Sequence, residues 1–215
     1  MPIFHKIQIN DECSLHLWRL DEELPELLHQ VNLNRHDRNK IDGFGSLSRK
    51  MEFVATRALL QRVTEPSVQI QHDDHGKPHL VNSDLNISIS HTKNYVGILL
   101  GKHHEIALDM EYLSERVLRI KKRFLSDLEI KHLSKKNELI HLYQHWCAKE
   151  CLIKLYGKKD VHLINELKID AFSPSDESFT GEVCRDEFQK KYSFKHLQFD
   201  NYLLVYSCSK QDPQK

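Results

Sequence analysis

Asp109 and Glu111 stand one residue apart at the end of the apolar run Ile106-Ala107-Leu108. Side chains alternate along a strand, so a strand here would put both acids on one face. Two like charges side by side on a half-buried surface repel each other unless something compensates them. A hard divalent cation does so, and magnesium commonly takes one or two carboxylates together with phosphate oxygens. Alone, the pair reads better as a solvated strand end. A second acidic signal changes the weighing. In the stretch 137–157, Leu139, Tyr143, Trp146, Glu150 and Ile153 recur at the spacing of one helix face. Trp146, Glu150 and Lys154 follow one another four residues apart. As a plain helix pair, Glu150 and Lys154 would contribute about 0.2–0.5 kcal/mol. An acid on an inward stripe needs a partner for its charge, and a metal shared with Asp109 and Glu111 would supply it.

Two further stretches carry weaker signals. Gly76-Lys77-Pro78 reads first as a turn with a rigid extended exit. Ser90-His91-Thr92 closes an alternating strand, and His91 there either bonds a neighbouring loop or, beside the basic residues Arg49 and Lys50, receives a phosphate.

The elements that must position these residues follow from periodicity and punctuation. Strands are expected over 14–20, 68–71, 86–90, 95–100, 106–111, 167–172, 181–185, 191–199 and 202–207. Helices are expected over 22–31, 34–41, from Ser46 or Ser48 to about Val63, 114–120, 126–132, and from the cap Asn137 to the terminator Gly157. In the third of these, Phe53, Ala55, Leu59, Leu60 and Val63 form the buried stripe, with Arg49, Lys50 and Arg57 on or beside the exposed side. Helices followed by strands, twice over, predict an α+β chain of two halves, 1–103 and 104–215, the second carrying the acids.

Composition bounds the rest. With 215 residues, 40% hydrophobic and 29% charged, the chain can build a real core. Lys plus Arg equals Asp plus Glu at 31 each, so no bulk charge points to nucleic acid. The start has no signal-peptide core and no apolar run is of bilayer-spanning length, so a cytoplasmic location with no membrane partner is expected. The five cysteines are odd in number and lack a CxxC pair, which fits reduced thiols.

In this order, the four stretches resemble the Sfp-type 4′-phosphopantetheinyl transferases. Gly76-Lys77-Pro78 matches the family's glycine-lysine-proline. Asn86 to Thr92 matches its asparagine-x-serine-histidine-serine stretch, with Thr92 in place of the last serine. Ala107 to Glu111 matches its glycine-x-aspartate-x-glutamate. Trp146, Lys149, Glu150 and Lys154 match its tryptophan-x-x-lysine-glutamate with a lysine four residues on. The resemblance implies two similar α/β halves related by pseudo-twofold symmetry, a monomer, and a Mg²⁺-dependent transfer. The group transferred is 4′-phosphopantetheine, from coenzyme A to a serine of an apo acyl or peptidyl carrier protein, as in fatty acid biosynthesis, releasing adenosine 3′,5′-bisphosphate. It implies Asp109, Glu111 and Glu150 as Mg²⁺ ligands, and Glu150 and Lys154 as the catalytic pair. It implies Arg49, Lys77, Pro78, Ser90, His91 and Lys149 as coenzyme A contacts, His91 being the candidate for the 3′-phosphate.

Two positions depart from the pattern. Ala107 replaces a glycine, and Met110 stands where some relatives have a third acid; a thioether is a poor Mg²⁺ ligand. The alternative reading is a non-catalytic carrier-protein or nucleotide-binding module of the same fold. The intact set Asp109, Glu111, Glu150 and Lys154 argues against it.

Overall fold

The alternating stretches become antiparallel strands, and each of the two larger sheets is covered by one long helix. The computed structural model describes residues 4–158, 160–185 and 187–210. The chain divides into two compact units, Met1–His103 and His104–Lys215. The architecture is mixed α+β, as the order of elements predicts.

In the first unit, β1 (Phe4–Asn10), β2 (Cys13–Arg19), β6 (Tyr95–Lys102) and β5 (Leu85–Thr92) form a sheet in the order β1-β2-β6-β5. Between β2 and β5 in the sequence come the short helices α1 (Leu24–His29) and α2 (Arg35–Asp42), then α3 (Leu47–Val63). Ser46 caps α3, its hydroxyl accepting from the Arg49 N–H at 3.2 Å. Val54, Ala55, Ala58 and Leu59 of α3 share a core with Trp18, Val96 and Ile98 of the sheet. A small hairpin, β3 (Gln69–His72) with β4 (Pro78–Val81), is turned by Asp73, whose Oδ1 accepts from the N–H groups of His75 and Lys77. Gly76 takes φ 83° there, which glycine adopts without strain.

Arg57 departs from the sequence reading. It lies buried, its guanidinium 3.5 Å over the Phe53 ring and 3.4 Å from Asp37 of α2. The helical wheel put it beside the exposed side; α2 covers that side and brings the counter-charge.

The second unit holds β7 (His104–Tyr112), α4 (Arg116–Ile120), α5 (Asp127–His132), α6 (Glu138–Tyr156), β8 (Leu167–Ile169), β9 (Ser178–Arg185), β10 (Phe188–Phe199) and β11 (Tyr202–Lys210). Its sheet runs β7-β11-β10-β9-β8. Leu142, Cys147, Cys151 and Leu152 of α6 pack with Ala107, Phe194, Leu203 and Val205 of that sheet. Gly157 ends α6 in the left-handed conformation, φ 82°, with its N–H on the Ile153 carbonyl at 2.9 Å. Asn137 stands at the other end, without a capping bond from its side chain. Cys147, Cys151 and Cys184 are free thiols. Among the described residues no helix is long and apolar enough to cross a membrane.

The units share a connectivity. In each, a first strand is followed by a long helix and then by a hairpin whose last strand returns beside the first: β2, α3, β5–β6 and β7, α6, β10–β11. The hairpins even turn alike. Thr92 pairs with Tyr95 and Phe199 with Tyr202, and Lys93 and Asp200 take positive φ of 40° and 46°.

Candidate active site

The strand β7 presents Ala107, Asp109 and Glu111 on the face that α6 covers; Ala107 is in the shared core, and the two acids meet side chains of α6. The alternation read from the sequence therefore holds. Met110 lies on the opposite face and is buried, so its thioether is directed away from the carboxylates by the pleat.

α6 brings the partners. The Lys154 ammonium donates to Asp109 Oδ1 at 2.8 Å and to the Leu108 carbonyl at 2.6 Å. Trp146 donates its indole N–H to Glu111 Oε1 at 3.1 Å, and its ring meets Phe124 edge-on at 5.1 Å. Glu150 sits on the same side of the helix, half-buried. The fully inward stripe is Leu142, Cys147, Ala148, Cys151 and Leu152, so Glu150 is on its margin rather than its centre. A margin position lets the carboxylate reach β7 without entering the apolar core.

The charges do not balance. Burial pushes the Glu150 carboxyl up to about 7, and the Asp109 carboxylate adds to it against the pull of Lys154. Glu111 is likewise raised, by burial first and then by Asp109, with the Trp146 hydrogen bond opposing. Burial works against the Lys154 ammonium, yet Asp109 beside it holds its pKa above the ordinary lysine value. Three carboxylates thus converge on one ammonium. Cys147 and Cys151 lie beneath them, both thiols driven well up by burial and then influenced by the neighbouring charges. Soft sulfur ligands do not suit a hard cation such as Mg²⁺. The available donor set is all carboxylate oxygen and short of positive charge, a chemistry that fits Mg²⁺, although the oxygens of Asp109, Glu111 and Glu150 do not all lie within 4.8 Å of one another and would have to draw together around the ion. Asp109, Glu111 and Glu150 are the residues that would hold it.

Lys149 calls for a correction. The resemblance assigns it to coenzyme A, but its side chain is fully buried and its ammonium donates to the Phe124 carbonyl at 2.7 Å, Glu129 Oε2 at 2.9 Å and the Leu163 carbonyl at 2.9 Å. An ammonium has three N–H donors, and protein oxygens take them all. One step around the helix from Glu150, the chain turns this lysine into the protein rather than toward a ligand.

The remaining expected contacts are all in the first unit. His91 is exposed at the end of β5, with Nδ1 3.3 Å from Glu52 Oε2. The same oxygen lies 4.0 Å from Nη1 of Arg49, and Ser48 donates to Glu52 Oε1 at 3.1 Å. Arg49 and His91 are therefore brought together around Glu52. The sequence carries Glu52 only as an i+3 partner of Arg49, which reads as an ordinary surface pair; its pairing with β5 had no sequence signal. Ser90 projects to the other face of β5 from His91 and is buried, so the two do not line one surface. Lys77 lies exposed in the β3–β4 turn and Pro78 opens β4.

Residues 105–207 match the model of a family described as ACPS, the 4′-phosphopantetheinyl transferase superfamily. The match covers Asp109, Glu111, Glu150 and Lys154 and stops short of Arg49, Lys77, Pro78, Ser90 and His91. A search of curated proteins returns no match.

Proposed function

We propose that this chain, whose residues 105–207 match the 4′-phosphopantetheinyl transferase superfamily, is a Mg²⁺-dependent transferase acting on an apo acyl or peptidyl carrier protein. Coenzyme A is the co-substrate. The observation that carries the reading is the convergence of Asp109, Glu111 and Glu150 on Lys154, with the Glu150 carboxyl pushed up to about 7.

In the reaction, the oxygen of a carrier serine forms a bond to phosphorus. The phosphorus–oxygen bond to the nucleotide breaks, releasing adenosine 3′,5′-bisphosphate. Asp109, Glu111 and Glu150 would hold Mg²⁺, which when bound would neutralise charge on the pyrophosphate. Glu150 takes the serine proton, directly or through one water. Lys154 offers a fixed positive charge beside the departing nucleotide, two of its donors holding it to β7. Trp146 commits Oε1 of Glu111, so Oε2 is the oxygen that would serve as ligand. His91 is the proposed contact for the 3′-phosphate. Glu52 orients its ring, and Arg49, Lys77, Pro78 and Ser90 are the further nucleotide contacts proposed with it.

The test is incubation with coenzyme A, Mg²⁺ and a panel of apo carriers from fatty acid, polyketide and peptide synthesis, read by mass spectrometry. Gain of one phosphopantetheine on at least one carrier, abolished by chelation, is the expected result. A panel left wholly unmodified by active, folded protein refutes the proposal.

A further inference from the structure

Lys149 is fully buried in the middle of α6, and what it holds together is informative. Its three donors go to three separate segments: the Phe124 turn before α5, Glu129 within α5, and Leu163 in the connection from α6 to β8. Glu129 is equally committed. Its Oε2 accepts from the Ser126 N–H at 2.7 Å and its Oε1 from the Ile169 N–H of β8 at 3.0 Å. Every polar atom of the pair is used, which is the condition under which a buried ion pair can be retained. The pair joins α6 to α5 and to the edge strand of its own sheet.

Lys149 and Glu150 are neighbours on the helix, so their side chains leave it roughly 100° apart. Pinning one fixes the direction of the other. We infer that the Lys149–Glu129 pair is a positioning device that sets the rotation of α6 about its axis, and thereby places Glu150, Lys154 and Trp146 against Asp109 and Glu111. A helix with side chains is about 10–12 Å across, so a rotation of about 15° carries a side-chain tip more than 1 Å sideways. A misplacement of that size costs about 10²-fold in rate. The inference deepens the proposed function and rests on it for its catalytic consequence, but not for its structural one.

The test uses the full chain in three forms: wild type, Lys149→Met, and the double variant Lys149→Met with Glu129→Leu. The single variant strands a buried carboxylate and loses stability. The double variant removes both charges and is expected to regain part of the melting temperature, the Ser126 and Ile169 N–H groups having lost their acceptor. Without metal, the Trp146 indole ¹⁵N–H resonance reports the bond to Glu111 directly. It is expected to shift in both variants. With coenzyme A, Mg²⁺ and carrier, kcat is expected to fall about 10²-fold in both, the Mg²⁺ midpoint to rise, and the coenzyme A dissociation constant to stay within about twofold of wild type.

A folded double variant with the wild-type indole resonance, kcat and Mg²⁺ midpoint overturns the inference, because the pair then only stabilises. A coenzyme A affinity that falls in step with kcat also overturns it, in favour of a nucleotide contact. A wild type inert toward Mg²⁺ and every carrier retires the function instead, while the Trp146 resonance still decides whether the pair sets the helix.

Discussion

The two units lay a long helix over a strand in the same way and put opposite chemistry between them. The hairpin registers align Arg19 with Tyr112, since each stands opposite the tyrosine that leaves a two-residue turn, Tyr95 and Tyr202. Counting back, Trp18 corresponds to Glu111 and His16 to Asp109. Trp18 is fully buried against α3, with the Arg62 guanidinium 4.3 Å over its ring. His16 is held by Ser14 Oγ at 2.8 Å, and burial, helped by Lys6, lowers its pKa to about 4, so it stays neutral. The first unit closes its strand–helix seam with groups that need no counter-charge. The second fills the same two positions with carboxylates and adds a third from the helix. One connectivity serves as packing in one place and as a charged cleft in the other. The difference lies in about three residues, because a seam between strand and helix is dry enough that a charge placed there must find a partner.

The comparison breaks most readily at the acids. Asp109→Ala and Glu111→Ala should each abolish carrier modification, with circular dichroism unchanged, since losing a carboxylate relieves repulsion. Either variant turning over at the wild-type rate with unaltered Mg²⁺ dependence would show that this seam is merely packed, like the first. Next in size is Glu150→Gln, which keeps the shape and removes the charge. It should leave coenzyme A affinity nearly intact and cut kcat by about 10²–10⁴-fold; single-turnover kinetics would check this, and wild-type chemistry in that variant would remove Glu150 as the base. Lys154→Ala should lower kcat as well.

On the other side of the comparison, Trp18→Ala should cost stability rather than chemistry, about 3–5 kcal/mol in urea unfolding. A large loss of kcat with little loss of stability would make the first seam functional too. Smaller still are the pH effects, which run in opposite directions. Glu150 has a folded pKa of about 7 against an ordinary 4.5, so the folded state binds more protons in that window. Its contribution is present below about 4.5 and lost as pH rises through about 7. Glu150→Gln should therefore raise the melting temperature of the metal-free protein at pH 8 and hardly change it at pH 4. His16 has the reverse shift, from 6.5 to about 4, so its contribution is present above 6.5 and lost as pH falls through 4. His16→Leu should flatten the acid limb of the melting curve alone. Melting temperatures of both variants across pH 4–8 settle whether each limb belongs to its seam. The smallest effect expected is at His91. His91→Ala should weaken coenzyme A more than dephospho-coenzyme A in calorimetry, and equal losses would take it out of contact with the 3′-phosphate.

What the sequence determined by itself is what periodicity and punctuation control. Alternation put Asp109 and Glu111 on one face of a strand and Met110 on the other. The 3.6-residue repeat put Trp146, Glu150 and Lys154 along one side of a helix, and Gly157 ended that helix through a conformation that favours glycine. Even the opposite facing of Ser90 and His91 was legible from alternation, although the motif resemblance grouped them. β1 went unread, and so did the pairing of β4, a short segment that opens on proline and draws its partner from across a turn. Tertiary structure alone decided which groups meet. Lys154 joins Asp109 across 45 residues of chain, His91 joins Glu52 from a different element, Arg57 is buried because α2 folds over it, and Lys149 is turned inward by three oxygens from three segments. The reason is physical. A dihedral preference fixes where a side chain leaves its own backbone, but the energy of a buried charge depends on what the rest of the chain brings to within hydrogen-bonding distance of it.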